Sequence, residues 1–142
     1  MKSSAKKYLV FISHSGEDTW VAQQIAREIK AAGADVFLDA ANIKIGDEFE
    51  EDILKSLDIA DELLVLFTPW ALERPYVLAE IGAAWSRRIP IVTVLHGLSI
   101  AEFRGRPNLP IFLIKRDMIK LNDIDQYFSQ LRARGESENR HE

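Results

Sequence analysis

A carboxylate and two aromatic side chains fall close together in one stretch of this sequence. Glu80 lies about one turn inside a segment with helical spacing, and Tyr76 precedes it by four residues, so the two share a helix face. Trp70 lies in the short segment before that helix. An acid beside aromatic rings suits a polar ligand that carries a flat, cationic ring. The alternative is that Glu80 is an ordinary solvated helix acid and that both rings belong to the core or the surface.

Four other polar residues stand at the ends of apolar runs, where a sheet would bring them together. Ser13 and His14 end the first run, Asp39 ends the second, and Thr68 ends the third. In parallel sheets, ligands bind beyond the carboxyl ends of the strands, so we expect these residues to surround Glu80. Hydrogen bonding at a strand end, or helix capping, would explain Ser13 and His14 equally well.

The elements that must position these residues alternate between two kinds. Short apolar runs without alternating polar residues are typical of strands that are buried on both faces. Five such runs are present: Tyr8–Ser13, Ala34–Asp39, Leu63–Thr68, Ile89–Leu95 and Ile111–Ile114. Helical stripes separate most of them, with Gly33 expected to end the first helix and Pro75 to begin the third. Strands separated by helices pair in parallel through right-handed crossovers.

The resulting prediction is an α/β fold, a flavodoxin-like three-layer sandwich. Its five-stranded parallel sheet has the order 2-1-3-4-5, with helices on both faces. The switch point of that order lies between the first and third strands. The site should therefore be built from Ser13–Asp18, Thr68–Glu80 and Ala40–Gly46. Within the first of these loops, Glu17 and Asp18 are interpreted as acids that begin a helix.

Composition limits the functional classes. The 142 residues fit one domain, predicted over residues 8–134, with flexible ends at 1–7 and 135–142. A net charge of −4 argues against nucleic-acid binding, and no apolar stretch approaches the roughly 20 residues that span a bilayer. Cysteine is absent, which excludes thiol catalysis and fits the reducing cytoplasm, the location we expect. The three His residues lack metal-ligand spacing, so we expect no metal site.

Missing motifs exclude several common occupants of such a crevice. No G-x-G, P-loop or G-x-S-x-G sequence is present, which excludes the usual dinucleotide, nucleotide-phosphate and serine-hydrolase sites. A response-regulator receiver needs an Asp at the end of the third strand, where this chain has Thr68 and Pro69. A flavodoxin-type phosphate cradle is opposed by two acids, Glu17 and Asp18, in the first loop.

Three segments resemble, in order, the signatures of Toll/interleukin-1 receptor (TIR) domains. Tyr8–Asp18, with the sequence YLVFISHSGED, is similar to the first signature, in which an apolar strand runs into F-I-S-[HY]-S and an acidic pair. Asp39 followed by Ile43–Asp47 resembles the BB loop of the family. A Thr-Pro step followed by Tyr76–Ala84 resembles the third signature, S-P and then W-[VC]-x-x-E-[LI]-G-A-A. The likeness covers nearly the whole chain.

The chain also departs from the family pattern at several positions. Tyr76 stands where the family often has Trp, Ile45 replaces a common Pro, and Lys44 stands near a frequent Arg. The late F-W signature of animal receptors is not visible. These features resemble the bacterial members more than the animal receptors.

The resemblance implies an enzyme. Many TIR domains of bacteria and plants cleave NAD+ at the nicotinamide–ribose bond, giving nicotinamide and ADP-ribose or a cyclic isomer, and they require the Glu that corresponds to Glu80. NAD+ is then a substrate, and no separate cofactor is expected. We expect a role in bacterial, anti-phage immune signalling. One alternative is a non-catalytic TIR–TIR interaction module, for instance a mimic that binds host TIR adaptors. Another is a related nucleoside-processing enzyme, such as an N-ribosyl or deoxyribosyl hydrolase.

The implied roles of the residues near Glu80 concern one end of the substrate. Ser13 and His14 would line the nicotinamide pocket. Trp70 or Tyr76 would stack on a ring of the ligand. Thr68 would lie beside them at the substrate-binding crevice. Glu80 would stabilise positive charge on the ribose and hydrogen-bond its hydroxyls.

The BB-loop segment is implied to act in two ways. Asp39 and Lys44 would lie near the pyrophosphate or adenosine side of NAD+, although a solvated loop charge also explains Lys44. Ile43, Ile45 and Gly46 would mediate self-association, because the BB loop of one copy completes the pocket of its neighbour in TIR enzymes. The alternative is that both Ile side chains pack on the core of their own domain. The expected partners are NAD+, further copies of the chain and a separate activator or effector protein, without nucleic acid or membrane.

Overall fold

A computed structural model describes residues 7–38, 55–107, 109–114 and 118–140. In chain order its elements are β1 (Leu9–Ser13), α1 (Thr19–Ala31), β2 (Asp35–Leu38), the helical residues 55–59 (α2), β3 (Glu62–Phe67), α3 (Pro75–Ser86), β4 (Ile91–Leu95), α4 (Ile100–Arg104), α5 (Ile111–Ile114), β5 (Met118–Lys120) and α6 (Asp125–Arg140). Short 3-10 turns at Gly16–Asp18, Ala71–Glu73 and Leu121–Asp123 precede or link these elements. No helix in these described ranges is long and apolar enough to cross a lipid bilayer.

The five strands form one sheet in the order β2-β1-β3-β4-β5, and every pairing in it is parallel. All six residues of the central strand β3 are buried, which explains why its sequence is apolar throughout apart from Glu62. The register places Ser13, the last residue of β1, beside Val65 of β3. The predicted fold class and strand order are thus confirmed.

Successive strand residues point to opposite faces of the sheet and build two separate apolar cores. Phe11 of β1 packs in one core with side chains from α2, α3, α4 and α5. Val10 and Ile12, its neighbours along the strand, pack in the other core with side chains from α1 and α6. Helices therefore cover both faces, as the three-layer prediction requires.

Two helix boundaries agree with the turn residues in the sequence. After α1, Gly33 takes a φ of 100°, and its N–H donates to the carbonyl of Lys30, while the N–H of Ala34 donates to the carbonyl of Ile29. These two bonds form a Schellman motif, in which a left-handed residue ends the helix. Pro75 is the first residue of α3, where a missing N–H costs nothing.

The predicted fifth strand is wrong in its position. Ile111–Ile114 forms a short helix, and the edge strand is Met118–Lys120, whose residues pair with β4. A short apolar run cannot be told from a helical turn by periodicity, because neither shows alternation. Here Ile111 is 68% exposed while Leu113 is fully buried, so the run covers one edge of a core rather than lying inside the sheet.

The amino ends of the strands are tied to α6 by a buried carboxylate. Glu62, the first residue of β3, accepts hydrogen bonds from the hydroxyls of Tyr8 and Tyr127. Arg134 lies 3.5 Å from the same carboxylate and also over the ring of Tyr8. α6 itself continues to Arg140, beyond the predicted domain end at residue 134. The N-terminal residues 1–6 and the C-terminal residues 141–142 lie outside the described ranges.

Candidate active site

Ser13 and Glu80 meet at the carboxyl end of the sheet. The hydroxyl of Ser13 donates to Oε1 of Glu80 at 2.5 Å, and both residues are buried, with Glu80 only 3% exposed. β1 supplies Ser13 at its last position, and α3 supplies Glu80 from the face that packs on the sheet. The two predicted site segments that follow β1 and β3 are thereby joined at the switch point of the sheet.

Glu80 lies too far along α3 for the N-terminus of that helix to stabilise its charge appreciably. Pro75 is the first helical residue, so Glu80 lies in the second turn. The favourable field of a helix N-terminus falls off within the first turn. The hydroxyl of Ser13 does stabilise this carboxylate, because a charge-assisted hydrogen bond in a buried site is stronger than one in water.

A second pair, Asp18 and Thr68, links the same two segments. The hydroxyl of Thr68 donates to Oδ2 of Asp18 at 2.5 Å, and both side chains are buried. Asp18 is the N-cap residue of α1, yet its carboxylate makes no capping hydrogen bond to that helix among the described residues. The carboxylate reaches across to the loop after β3 instead.

Thr68 also organises the turn that leads into α3. Its Oγ1 accepts a hydrogen bond from the N–H of Ala71 at 3.1 Å, and its carbonyl accepts one from the N–H of Leu72. The hydroxyl predicted to line the ligand crevice is thus engaged as a donor to Asp18 and as an acceptor from Ala71. Thr68 is fully buried between these two partners.

The predicted aromatic residues of the site are accessible to solvent. Trp70 is 52% exposed in the turn between β3 and α3, and Tyr76 is 41% exposed in the first turn of α3. His14 follows Ser13 directly and is buried. The structure therefore brings a buried carboxylate, a hydroxyl and an imidazole into the segments that also carry two accessible rings.

The loop after β4 supports the Thr68–Pro69 step. The N–H of His96 donates to the carbonyl of Phe67, the last residue of β3. Gly97 follows with a φ of 73°, and a Cβ built at this position would lie 3.4 Å from Cδ of Pro69. Glycine suits this backbone conformation because a side chain at such a φ is strained, so the chain can turn sharply beside Pro69.

Five of the predicted site residues cannot be placed. Asp39 and Lys44, predicted on the substrate, and Ile43, Ile45 and Gly46, predicted to mediate self-association, lie outside the described residues. Their roles stay predictions.

Two residues that matter to the site were not among its predicted functional side chains, although Asp18 ends one of the predicted site segments. Asp18 looks in the sequence like an acid at a helix start, and its bond to Thr68 spans 50 positions, so local spacing carries no signal for it. Gly97 lies in a stretch that the sequence marks only as a loop. Its position next to the end of an apolar run was the one available signal, since such ends meet at the site edge.

The arrangement suits electrostatic stabilisation of a positive charge. A carboxylate that is oriented by the Ser13 hydroxyl in a buried, low-dielectric site exerts a stronger field than it would in water. The accessible rings of Trp70 and Tyr76, in the segment that leads to Glu80, offer a surface for stacking a flat ligand.

Two solved structures are similar to this chain in fold. The TIR domain of the Toll-related receptor TRR-2 from Hydra magnipapillata aligns with a TM-score of 0.64 and 20% identity, over 89% of this chain and 95% of that one. The TIR domains of the activated Roq1 resistosome align with a TM-score of 0.56 and 21% identity, over 68% of this chain and 62% of that one. At these identities the likeness shows the fold.

A curated plant protein is similar in sequence. The protein of Brachypodium distachyon that is named probable 2′ cyclic ADP-D-ribose synthase BdTIR is 25% identical over 128 residues. The alignment covers 89% of this chain and 55% of the plant protein, so the chain spans about half the length of this relative.

The family itself is identified by a family model. The model described as TIR domain matches residues 10–132. This range contains all four residues of the Ser13–Glu80 and Asp18–Thr68 pairs. This match covers most of the chain, and the sheet order agrees with it. The chain therefore belongs to the TIR domain family.

Proposed function

We propose that this TIR domain cleaves NAD+ at the bond between nicotinamide and ribose. The observation that carries the proposal is the buried carboxylate of Glu80, hydrogen-bonded to Ser13 at the carboxyl end of the sheet. A solvated helix acid, the alternative interpretation of Glu80, would be exposed to water and would have no reason to face the end of β1.

The chemistry of this bond needs one acid and no proton donor. Nicotinamide leaves as a neutral molecule because its ring carries a positive charge in NAD+, and the bonding electron pair leaves with it. The ribosyl carbon becomes oxocarbenium-like, and a fixed carboxylate nearby stabilises that positive charge. Attack by water, which then loses a proton, gives ADP-ribose, whereas attack by a nucleophile within the same molecule gives a cyclic isomer.

The roles of the described residues follow from their chemistry. Glu80 is the electrostatic stabiliser and ribose ligand, and Ser13 orients its carboxylate. His14 lines the nicotinamide end, where Trp70 or Tyr76 stacks on a ring, since both rings are accessible. The plant relative that is named a cyclic ADP-ribose synthase supports a cyclic product, although it is matched over only about half of its length.

The proposal includes self-association and a bacterial immune role. A resistosome that contains similar TIR domains supports assembly as part of the function. In bacteria that express this chain and are infected with phage, we expect cellular NAD+ to fall. It should not fall in bacteria that express Glu80→Gln, and equal NAD+ levels in the two strains would contradict this immune role.

The test is release of nicotinamide from NAD+, measured by liquid chromatography. The full chain is assayed at high concentration and again when clustered on beads, beside Glu80→Gln and Glu73→Gln. Glu73 is an exposed acid in the turn before α3 and serves as the matched control. We expect Glu80→Gln to lower the rate at least about 100-fold, because the variant removes the negative charge that stabilises the ribosyl centre. Gln has nearly the same volume as Glu, so the packing around this position is kept. Glu73→Gln should stay active.

Each outcome of this assay decides something. Activity that disappears only in Glu80→Gln supports the enzyme, and the second product peak distinguishes linear from cyclic ADP-ribose. Equal activity in Glu80→Gln would contradict the role of this carboxylate. No release by the clustered wild type would contradict the enzyme and leave the TIR–TIR interaction module. Cleavage of free nucleosides in preference to NAD+ would indicate a nucleoside-processing enzyme.

A further inference from the structure

We propose that Asp18 is a positioning residue of the site, acting through Thr68, an inference that rests on the proposed function. The first observation is the direction of its side chain. Asp18 occupies the N-cap position of α1, where an Asp ordinarily accepts from the N–H groups of its own helix. Its carboxylate instead accepts the Thr68 hydroxyl, 50 residues away, in a buried contact of 2.5 Å.

Thr68 links Asp18 to the turn that precedes α3. The Thr68 hydroxyl accepts from the N–H of Ala71, so its own proton must point to another acceptor, and the carboxylate of Asp18 provides one. A hydroxyl polarised by an anion is a better acceptor, because hydrogen bonds in a chain strengthen one another. Asp18 therefore stabilises the turn Ala71–Glu73 indirectly, because it binds the Thr68 hydroxyl that in turn accepts from the N–H of Ala71.

The Asp18–Thr68 bond connects the same two segments as the Ser13–Glu80 bond. Ser13 and Asp18 lie in the segment that ends β1 and begins α1, while Thr68 and Glu80 lie in the segment that ends β3 and enters α3. The two bonds hold the same two segments at two points, with Trp70 between Thr68 and Glu80 in the chain. Loss of the Asp18–Thr68 bond would keep the Ser13–Glu80 bond but loosen the turn that follows Trp70 and begins α3, so that Glu80 is held less precisely.

We expect a loosened turn to lower the rate of catalysis by displacing groups at the reacting centre. A misplacement of about 1 Å at a reacting centre costs up to about 100-fold in rate, even when every chemical group is retained. We therefore expect Thr68→Val, which keeps the shape and removes the hydroxyl, to lower kcat by about 10-fold to 100-fold with little change in KM. Thr68→Ser keeps the hydroxyl and should restore most of kcat. Asp18→Asn with Thr68→Val should be little worse than Thr68→Val alone, because both remove one tie.

A second readout reports on the loop without any turnover. The full chain has three Trp residues, and replacing Trp20 and Trp85 by Phe leaves Trp70 as the only tryptophan, whose emission can be excited selectively over that of tyrosine. Trp20 is mostly exposed, and Phe at position 85 keeps a ring to stack on Phe112. In this background we expect Thr68→Val to raise quenching of Trp70 by acrylamide, and Thr68→Ser to leave it unchanged.

Thr19 provides the matched control. Its hydroxyl donates to the carbonyl of Gly16 in an exposed, local bond at the start of α1. Thr19→Val should change neither kcat nor Trp70 quenching. All variants are compared well below their melting temperatures, so that a general loss of stability does not enter either measurement.

The outcomes separate this inference from the proposed function. A fall in kcat together with higher Trp70 quenching in Thr68→Val, both reversed by Ser, supports the positioning role. An active wild type whose kcat and quenching are unchanged by Thr68→Val would overturn it and leave the enzyme intact. If the wild type releases no nicotinamide, quenching alone decides whether Asp18 and Thr68 hold the loop, and the proposed function fails separately.

Discussion

The hydroxyl of Ser13 donates to Oε1 of Glu80 over 2.5 Å, and this bond joins two residues that are 67 positions apart. Ser13 is fixed by the register of β1 beside β3, and Glu80 is fixed by the packing of α3 on the same sheet. The bond is therefore a consequence of strand order, since only a sheet with β1 next to β3 places these two segments side by side. It sets one carboxylate oxygen in a defined direction.

Removing that hydroxyl tests how much the orientation of Glu80 matters. We expect Ser13→Ala to lower kcat for NAD+ cleavage by about 10-fold to 100-fold, because the carboxylate can rotate away from the ribose. The loss of a hydrogen bond to a buried charged group should also lower the free energy of unfolding by about 1–3 kcal/mol. Steady-state kinetics and urea denaturation measure the two effects. Ser15→Ala, in the same loop, is the control, and an unchanged kcat in Ser13→Ala would contradict the role of the bond.

The buried carboxylate at the amino end of the sheet should serve stability alone. In Tyr127→Phe, Oε2 of Glu62 loses the hydroxyl that donates to it, so we expect the free energy of unfolding to fall by about 1–3 kcal/mol. Urea denaturation measures this loss. Because Glu62 begins β3 while Thr68 follows its carboxyl end, kcat should stay within about twofold of the wild type. A large fall in kcat without a loss of stability would show that this cluster is coupled to the site.

The two tyrosines of that cluster predict a loss of stability in alkali. Burial, and then the charge of Glu62, raises the pKa of Tyr127 and the pKa of Tyr8 above the ordinary value near 10. Above that pH the unfolded chain loses tyrosine protons that the folded chain retains, so stability is intact below about pH 10 and declines as the pH rises. Unfolding by urea at a series of alkaline pH values measures the slope, which should be shallower in Tyr127→Phe. An equal slope in that variant would contradict the assignment.

Two glycines should respond to the same substitution with opposite sign. Gly97 has a φ of 73° and faces Pro69, so Gly97→Ala should lower the free energy of unfolding by about 1–2 kcal/mol. Gly82 lies inside α3 with open space where a Cβ would be, so Gly82→Ala should raise it by about 0.5–1 kcal/mol. Thermal or urea unfolding of both variants measures the pair. Equal effects of the same sign would show that backbone conformation is not what distinguishes the two positions.

Local sequence determined much of the architecture. The unbroken apolar run of β3 predicts a strand buried on both faces, Pro75 predicts the beginning of α3, and Gly33 predicts the end of α1. These features depend on neighbours within a few positions, where side-chain size and backbone freedom decide the conformation. The same reasoning placed Ser13 and Glu80 at one end of the sheet, because all parallel strands direct their carboxyl ends to a common edge.

Tertiary structure alone decided the remaining points. Ile111–Ile114 is helical and lies with one side, that of Ile111, in solvent and the other side, that of Leu113, in the core. Met118–Lys120 forms the edge strand of the sheet instead. Asp18 bonds to Thr68 rather than to its own helix because the fold brings a second segment within reach of its carboxylate. Sequence spacing reports contacts a few residues apart, whereas a partner 50 positions away exists only once the sheet has assembled.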